Sequence, residues 1–172
     1  SSRNVYKCLD NNNNVASTVE PTGTNTSIIL STADGYRWKY MYTLSASEQS
    51  NFLSTDFMAV STNSSVSGNA IDGSIDIVSI KTPGSGGADG THTGIAIRGD
   101  GTGGVVSVTV TSGAVTAVTV TSAGSGYTFA TISNAQIIAA GATNLVGAEL
   151  DVIIPPKGGH GFNAIEELGG FY

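Results

Sequence analysis

Two histidines and one cysteine are the side chains in this sequence best suited to metal binding or nucleophilic catalysis. His92 and His160 lie in glycine-flanked stretches, and neither belongs to an H-E-x-x-H helix or to a Cys/His spacing typical of zinc. Cys8 lies in an alternating run that predicts a strand, where cysteine is most often a small buried hydrophobe. As the single cysteine it cannot form an internal disulfide. We therefore expect no zinc site and no thiol nucleophile.

Paired carboxylates could perform general acid-base chemistry, as they do in glycosidases. Asp72 and Asp76 flank an expected strand, whereas Glu166 and Glu167 are adjacent, so their side chains would point in different directions on a helix. The two glutamates are better explained as favourable charge at a helix N-terminus. No triad, metal set or acid-base pair emerges, so the sequence predicts no catalytic, cofactor-binding or metal-binding residues and a protein that is not an enzyme.

The glycine-rich middle of the chain contains three further motif matches. The run 84–87 (GSGG) lacks the GKS or GKT ending of a phosphate-binding P-loop. Asp89 and Asp100 could contact a cation, but no EF-hand spacing surrounds them. The run 98–100 spells the adhesion tripeptide RGD, a match short enough to arise by chance. None of the three predicts a site.

The most distinctive element is an aromatic strand. The run 36–42 (YRWKYMY) alternates strictly, which predicts a strand whose one face carries Tyr36, Trp38, Tyr40 and Tyr42. Core packing is the simplest role for this face. Stacking on a sugar and contact with another protein are the alternatives, because Tyr and Trp are enriched at interface hot spots.

Composition and charge exclude several classes of protein. The 172 residues include 23 glycines and only 12% charged residues, against roughly 25% in an ordinary soluble domain, which argues against a helical bundle or coiled coil. A net charge of −6 argues against nucleic acid as a partner, since binding to its backbone needs a basic patch. No apolar stretch approaches the ~18 residues of a membrane-spanning helix. We expect neither nucleic acid nor a membrane as partner.

Two alternating runs on either side of Ser112-Gly113-Ala114 predict a β-hairpin. A three-residue loop there pairs Val106 with Val120 and Val108 with Val118, all on one side of the sheet. A two-residue loop would set Val118 and Val120 on the wrong face. We therefore predict the longer turn.

The remaining elements follow from local patterns. Further strands are predicted at 4–9, 28–30, 75–80, 132–138 and 149–154, with extended structure at 56–60, a turn at 10–14 and a long glycine-rich loop at 83–104 that is interrupted at 94–98. Ser45 and Glu48 fit a capping box, which predicts a short helix through about Leu53. A second such pattern at 163–166 predicts a terminal helical turn.

These elements predict a mainly β fold with antiparallel, sandwich-like sheets and one or two short helices. Changes in composition divide the chain into three parts. Residues 1–60 form an aromatic-rich β half with a short helix, and 61–145 form an inserted Gly/Ser/Thr-rich β module. Residues 146–172 are expected to return and to pack on the first half.

Several segments resemble a known family. They are 4–9 (NVYKCL), 17–21 (STVEP), 34–42 (DGYRWKYMY), 155–162 (PPKGGHGF) and 166–169 (EELG). Together they are similar to baseplate wedge subunits of T-even-type contractile-tailed bacteriophages. The run 34–42 is the most specific, and the glycine-rich middle carries almost no family signal.

The resemblance implies a structural virion protein of the tail baseplate, assembled in the host cytoplasm. It implies contacts with other baseplate wedge proteins, self-association as a homodimer, and no active site or cofactor to carry over. It adds His160 and Phe162 to the aromatic face as candidates for an interface or for the core. Because chains of that family are longer, this sequence is expected to be an internal fragment.

A carbohydrate-binding or host-adhesion β module is the alternative function. It depends on the aromatic face of the strand at 36–42 and on the long glycine-rich loops, since exposed aromatic rows suit stacking on sugar rings. The exposure of Trp38 distinguishes the two hypotheses, because a buried indole cannot stack on a sugar.

Overall fold

The fold is mainly β, as the sequence predicts, with 39% of the chain in strands and 13% in helices. A computed structural model describes residues 3–170. In chain order its elements are β1 (Arg3–Asp10), β2 (Leu30–Ser31), β3 (Arg37–Leu44), α1 (Ala46–Phe52), α2 (Ser64–Gly68), β4 (Val78–Ser85), β5 (Gly90–Ala96), β6 (Arg98–Gly99), β7 (Thr102–Thr111), β8 (Ala114–Ser125), β9 (Ala130–Thr131), α3 (Asn134–Ala139), β10 (Val146–Val152) and α4 (Ala164–Glu167). Every strand pairing is antiparallel. The four helices within residues 3–170 exceed the one or two expected.

The chain divides into two compact units. Unit 1 is Ser1–Ile71 together with Pro156–Tyr172, and unit 2 is Asp72–Pro155. The chain was expected to return to the first half at residue 146, but unit 1 resumes only at Pro156. Strand β10 pairs with β4, so the residues before Pro156 belong to unit 2.

Unit 1 is built on a three-stranded sheet in the order β1-β3-β2. Val5 pairs with Tyr42 and Cys8 pairs with Trp38 across β1 and β3. Three consecutive asparagines, Asn12 to Asn14, follow β1 with positive φ angles of 48°, 54° and 64°, the left-handed conformation that asparagine tolerates best among side-chain-bearing residues. The predicted turn at 10–14 is thereby confirmed.

The strand predicted at 28–30 is reduced to β2, which begins at Leu30. The Asn25 side chain accepts hydrogen bonds from the backbone N–H groups of Ser27 and Ile28, at 2.8 and 3.0 Å. This local turn uses N–H groups that a strand would have needed for its ladder. Ile28 is left 55% exposed.

Unit 2 contains the sheet β5-β7-β8 and the two-stranded sheets β10-β4 and β6-β9. Its core is one cluster of sixteen buried residues, drawn from both larger sheets and from α3. The cluster is mostly Val and Ile, because β-branched side chains pack well on a pleated surface. Val106 and Val108 of β7 lie at its centre with no exposed surface.

The predicted hairpin register is confirmed, but the predicted turn is wrong. Val106 pairs with Val120 and Val108 pairs with Val118, as expected. The turn has two residues, Ser112 (φ 54°) and Gly113 (φ 80°), and both have the positive φ of a type I′ turn. A β-bulge between Thr109 and Val110 in the register adds a residue to β8 and returns its valines to the core face.

The long loop predicted at 83–104 is wrong, because β4 extends into it and β5, β6 and β7 begin within it. Gly84 shows why its glycines are compatible with strands. It has φ +69°, and a Cβ there would lie 2.8 Å from the backbone N of Ala148 in the paired strand. The glycine therefore permits a close strand approach that composition alone presents as a loop.

The strand predicted at 132–138 is also wrong, because this segment contains helix α3. Ser133 caps the helix by accepting from the Gln136 N–H at 3.3 Å, and the Gln136 side chain accepts from the Ser133 N–H at 3.0 Å. This capping box outweighs the strand preference of the isoleucines that follow. The two helices predicted from capping patterns, α1 after Ser45 and α4 after Asn163, are confirmed.

Candidate functional site

The prediction of a single aromatic face is wrong. A β-bulge at Met41 leaves Tyr42 paired with Val5 and Tyr40 paired with Tyr6, so these two tyrosines lie on opposite faces of β3. Tyr40 and Tyr42 are 4% and 2% exposed, and the Tyr42 hydroxyl donates to the Ala59 carbonyl at 2.9 Å. Tyr36 and Trp38 are half-buried and stack on each other with ring centroids 5.4 Å apart. The indole Nε1 of Trp38 is buried and has no hydrogen-bond partner among residues 3–170. The four rings therefore do not form one exposed platform.

Lys39 and Met41, which the alternating pattern assigned to a face of β3 without aromatic residues, are both buried, and the bulge places Tyr42 on the same face as them. Met41 is 1% exposed and Lys39 is 3% exposed. The Lys39 ammonium donates to the Thr26 carbonyl at 3.1 Å, and a Cβ at Gly161 would lie 3.5 Å from Lys39 Cε. The second segment of unit 1 thus passes over a strand face that the sequence presents as polar.

His160 is buried in unit 1 and is hydrogen-bonded to a glutamate. Its Nδ1 lies 2.6 Å from Oε1 of Glu167, and the two side chains are 7% and 5% exposed. The other carboxylate oxygen accepts from the Gly161 N–H at 2.6 Å, and the Lys7 ammonium donates to the Glu167 carbonyl at 2.9 Å. This network joins β1 to the C-terminal segment of unit 1.

Glu167 has a lowered pKa. Burial acts to raise it, but the hydrogen bonds from His160 and from the Gly161 N–H, with the positive charge of Lys7, outweigh burial and favour the carboxylate. The sequence had assigned Glu167 only to the N-terminus of a helix. Its partnership with His160 depends on the turn at 158–161, whose three glycines all have positive φ.

Phe162, the other candidate residue from this segment, lies at the surface with 55% of its area exposed. His160 is two residues away and is buried, so the structure separates these two candidates between surface and interior.

The remaining candidates for chemistry take part in local hydrogen bonds. His92 Nε2 lies 3.0 Å from the Ala88 carbonyl oxygen, and Asp89 accepts from the Gly113 N–H at 2.9 Å. The Cys8 thiol is half-buried and donates to the Asp10 carbonyl at 3.5 Å, and its pKa is raised by burial. Among residues 3–170, no group of three or more His, Cys, Asp or Glu side chains could hold a metal ion.

The aspartate of the RGD run stabilises a turn. Its carboxylate, on Asp100, accepts from the Thr128 hydroxyl and from the backbone N–H groups of Thr128 and Phe129. The hydrogen bonds from Thr128, followed by that from Phe129, lower the pKa of Asp100 to about 2. In the structure this carboxylate is already engaged with its own chain.

An apolar groove in unit 1 is the feature that sequence reasoning missed. It has a volume of about 950 Å³, and its apolar lining includes Phe52, Phe57, Met58, Val60, Ile165 and Leu168. Phe57 is 77% exposed and Phe52 is 61% exposed. Large apolar side chains grouped in an open groove are unusual on a protein surface.

Helix ends position the two walls of the groove. On one side, α1 stops at Phe52, and the Ser54 hydroxyl accepts from the N–H groups of Asp56 and Phe57 at 3.2 and 3.0 Å, which forms a turn. On the other side, α4 ends in a Schellman motif in which Gly170 N–H donates to the Ile165 carbonyl at 2.7 Å. Apolar residues directly after a helix end were the available signal in the sequence.

Asp56 is the one charged residue among the described residues that line the groove. Its carboxylate accepts from the Thr55 hydroxyl at 3.3 Å, and no ion pair involves it within the described chain. The groove therefore combines an apolar floor with a single exposed negative charge.

No described helix is long and apolar enough to cross a bilayer. A scan of family models, a search of curated proteins and a search of solved structures each found no match to this chain.

Proposed function

We propose that this chain is a non-enzymatic assembly protein, a wedge subunit of the eighth-gene-product type in the tail baseplate of a contractile-tailed bacteriophage. Its partners are other baseplate wedge proteins and a second copy of itself. Its place is the virion, after assembly in the host cytoplasm. The resemblance of the runs 34–42 and 155–162 to that family supports this identity.

The observation that carries the proposal is the exposed apolar groove. Fully burying a Phe or Met side chain stabilises a complex by about 1.5–3 kcal/mol, so exposed Phe52, Phe57 and Met58 offer a strong anchor to a partner. An acidic chain with few charges gives little long-range steering, and such a protein depends on shape and apolar contact for association.

The carbohydrate-binding alternative lacks a comparable observation. It requires exposed ring faces, but Tyr40 and Tyr42 are buried. Tyr36 and Trp38 stack on each other, so each covers one face of its neighbour. A sugar would find no row of free rings on β3.

Size-exclusion chromatography tests the proposal. The chain is mixed with each wedge protein encoded beside it in the phage genome, and we expect at least one stable co-eluting complex. Failure of every pairing to co-elute would contradict the assembly function. Sedimentation of the chain alone measures its self-association.

A matched pair of variants tests whether the groove mediates assembly. Phe57→Ser combined with Met58→Ser should weaken the complex about tenfold or more. The control is Phe129→Ser, which changes a phenylalanine of unit 2 that is also exposed, at 61%. If the groove variant binds as tightly as the control, the partner contacts another surface.

A further inference from the structure

The backbone of residues 58–60 beside the groove has an unusual distribution of hydrogen bonds. Residues 57–63 lie in no helix, turn or strand. The Phe57 carbonyl accepts from the Ser54 N–H at 2.9 Å, and the Ala59 carbonyl accepts from the Tyr42 hydroxyl. Within the described chain, neither the N–H nor the C=O of Met58 and Val60 has a hydrogen-bond partner.

This pattern matches the free edge of a strand. In an antiparallel ladder, every second residue directs both its N–H and its C=O to the same neighbouring strand. Met58 and Val60 are two residues apart and are unpaired, while the carbonyl of Ala59 between them accepts from the Tyr42 hydroxyl and the Ala59 N–H has no partner within the described chain. Backbone groups of this kind almost always find a partner when they become buried.

We propose that the groove accepts an extended segment of a partner protein as an added β-strand. The segment pairs with Met58 and Val60 and places its alternate apolar side chains against Phe52, Phe57 and Leu168. This inference rests on the proposed assembly function and names the chemistry of the partner. Such strand addition gives affinity through the main chain and specificity through the side chains.

The charge of the groove specifies the partner segment further. Asp56 is the charged residue in the lining, it is exposed, and its carboxylate has no ion pair within the described chain. The whole chain has a net charge of −6. The matching segment is therefore apolar at alternate positions and carries Lys or Arg where it passes Asp56, which adds charge complementarity to the apolar contact.

Peptide titration monitored by amide NMR tests the mode of binding. The probe is a capped peptide of alternating valine and threonine with a lysine at each end, added to about millimolar concentration to detect weak binding. Its controls are the same peptide N-methylated at alternate residues and a version with glutamates at the ends. We expect the amide signals of Met58 and Val60 to shift with the lysine peptide and to remain unchanged with the N-methylated one.

The charged ends test the role of Asp56. We expect the lysine peptide to bind about fivefold or more tightly than the glutamate peptide. Asp56→Asn should remove that preference and leave the N-methylation effect unchanged. Equal binding of the N-methylated peptide, or no shift at Met58 and Val60 with any peptide, would overturn strand addition.

The outcomes separate this inference from the proposed function. If wedge proteins co-elute with the chain but the peptide produces no amide shifts, strand addition fails and the assembly function stands. If the peptide binds and no wedge protein co-elutes, the assembly function fails and strand addition stands. If the peptide dissociates a homodimer of the chain, the occupant is a second copy, and the basic partner segment is wrong.

Discussion

The two units of this protein differ in the size and the composition of their buried cores. Unit 2 buries a cluster of sixteen residues, mainly Val and Ile. The corresponding cluster of unit 1 has five, and Lys39 and His160 are buried in the same unit. Unit 1 also leaves Phe52, Phe57 and Met58 exposed. Unit 2 exposes Phe129 and Val146 singly, whereas these three exposed apolar side chains of unit 1 are grouped in one groove.

The largest effect is expected from a glycine in unit 2. Gly73 has φ +63°, and a Cβ there would lie 2.2 Å from the Tyr127 backbone N. Gly73→Ala should lower the free energy of unfolding by about 3 kcal/mol or more, because rigid backbone cannot yield. Urea denaturation measures the change.

Gly147→Ala is the matched control for Gly73→Ala. Gly147 has a similar φ of +72°, but nothing lies within 4 Å of the added Cβ. Gly147→Ala should lower the free energy of unfolding by about 1 kcal/mol, because only the left-handed backbone conformation is unfavourable for alanine. Equal losses for the two variants would show that close packing around Gly73 is not what restricts the position.

The second effect concerns the buried polar network of unit 1. Glu167→Ala leaves His160 and the Gly161 N–H without their acceptor and should cost about 3 kcal/mol in the free energy of unfolding. Glu166→Ala, at the exposed neighbouring position, should change it by less than about 0.5 kcal/mol. Similar urea profiles for the two variants would contradict the structural role of the network.

Acid should weaken the same network. The pKa of Glu167 is lowered in the folded state, so its carboxylate stabilises the fold above the ordinary glutamate value of 4.5. That contribution is lost as the pH falls through the folded pKa. We expect the stability of the wild type to decline more steeply over this window than that of Glu167→Gln, which does not titrate there. Parallel pH profiles would argue that Glu167 is not selectively stabilised as a carboxylate.

The smallest effect is expected in the hairpin of unit 2. Ser112→Asn introduces the Asn-Gly pair preferred by type I′ turns at a residue whose φ is 54°. It should stabilise the fold by about 0.5 kcal/mol in thermal or urea unfolding. Thr111→Asn, in the adjoining strand, should not stabilise the fold, because asparagine is unfavourable in strands. A loss of stability in Ser112→Asn would contradict the two-residue turn.

Local chemistry made much of the fold predictable. The capping pair Ser45 and Glu48 predicted α1, and the valine alternation predicted the register of Val106 and Val108. The predictions failed where a local device was overlooked. The capping box at Ser133 produced a helix in place of a strand, and a β-bulge corrected the register after the turn at Ser112.

The candidate site was less predictable, since it depends on which strand faces are covered. Alternation placed Lys39 on a polar face, but Thr26 and the segment at Gly161 enclose it. No periodicity could indicate that Glu167 would meet His160, or that Phe57 would remain exposed. The covering of Lys39 by Gly161 joins residues far apart in the chain, whereas the contact of His160 with Glu167 depends on how the seven-residue step between them folds.

The sequence by itself determined the strand-rich class, the helix caps and the valine register, because each depends on neighbours within a few residues or on a single hairpin. Only the tertiary structure decided which polar groups are buried and which apolar groups stay exposed. Lys7 meets Glu167, 160 positions along the chain, and Phe57 lines one groove with Leu168. The free energy of burying a side chain depends on what covers it, and that covering surface is supplied by distant segments.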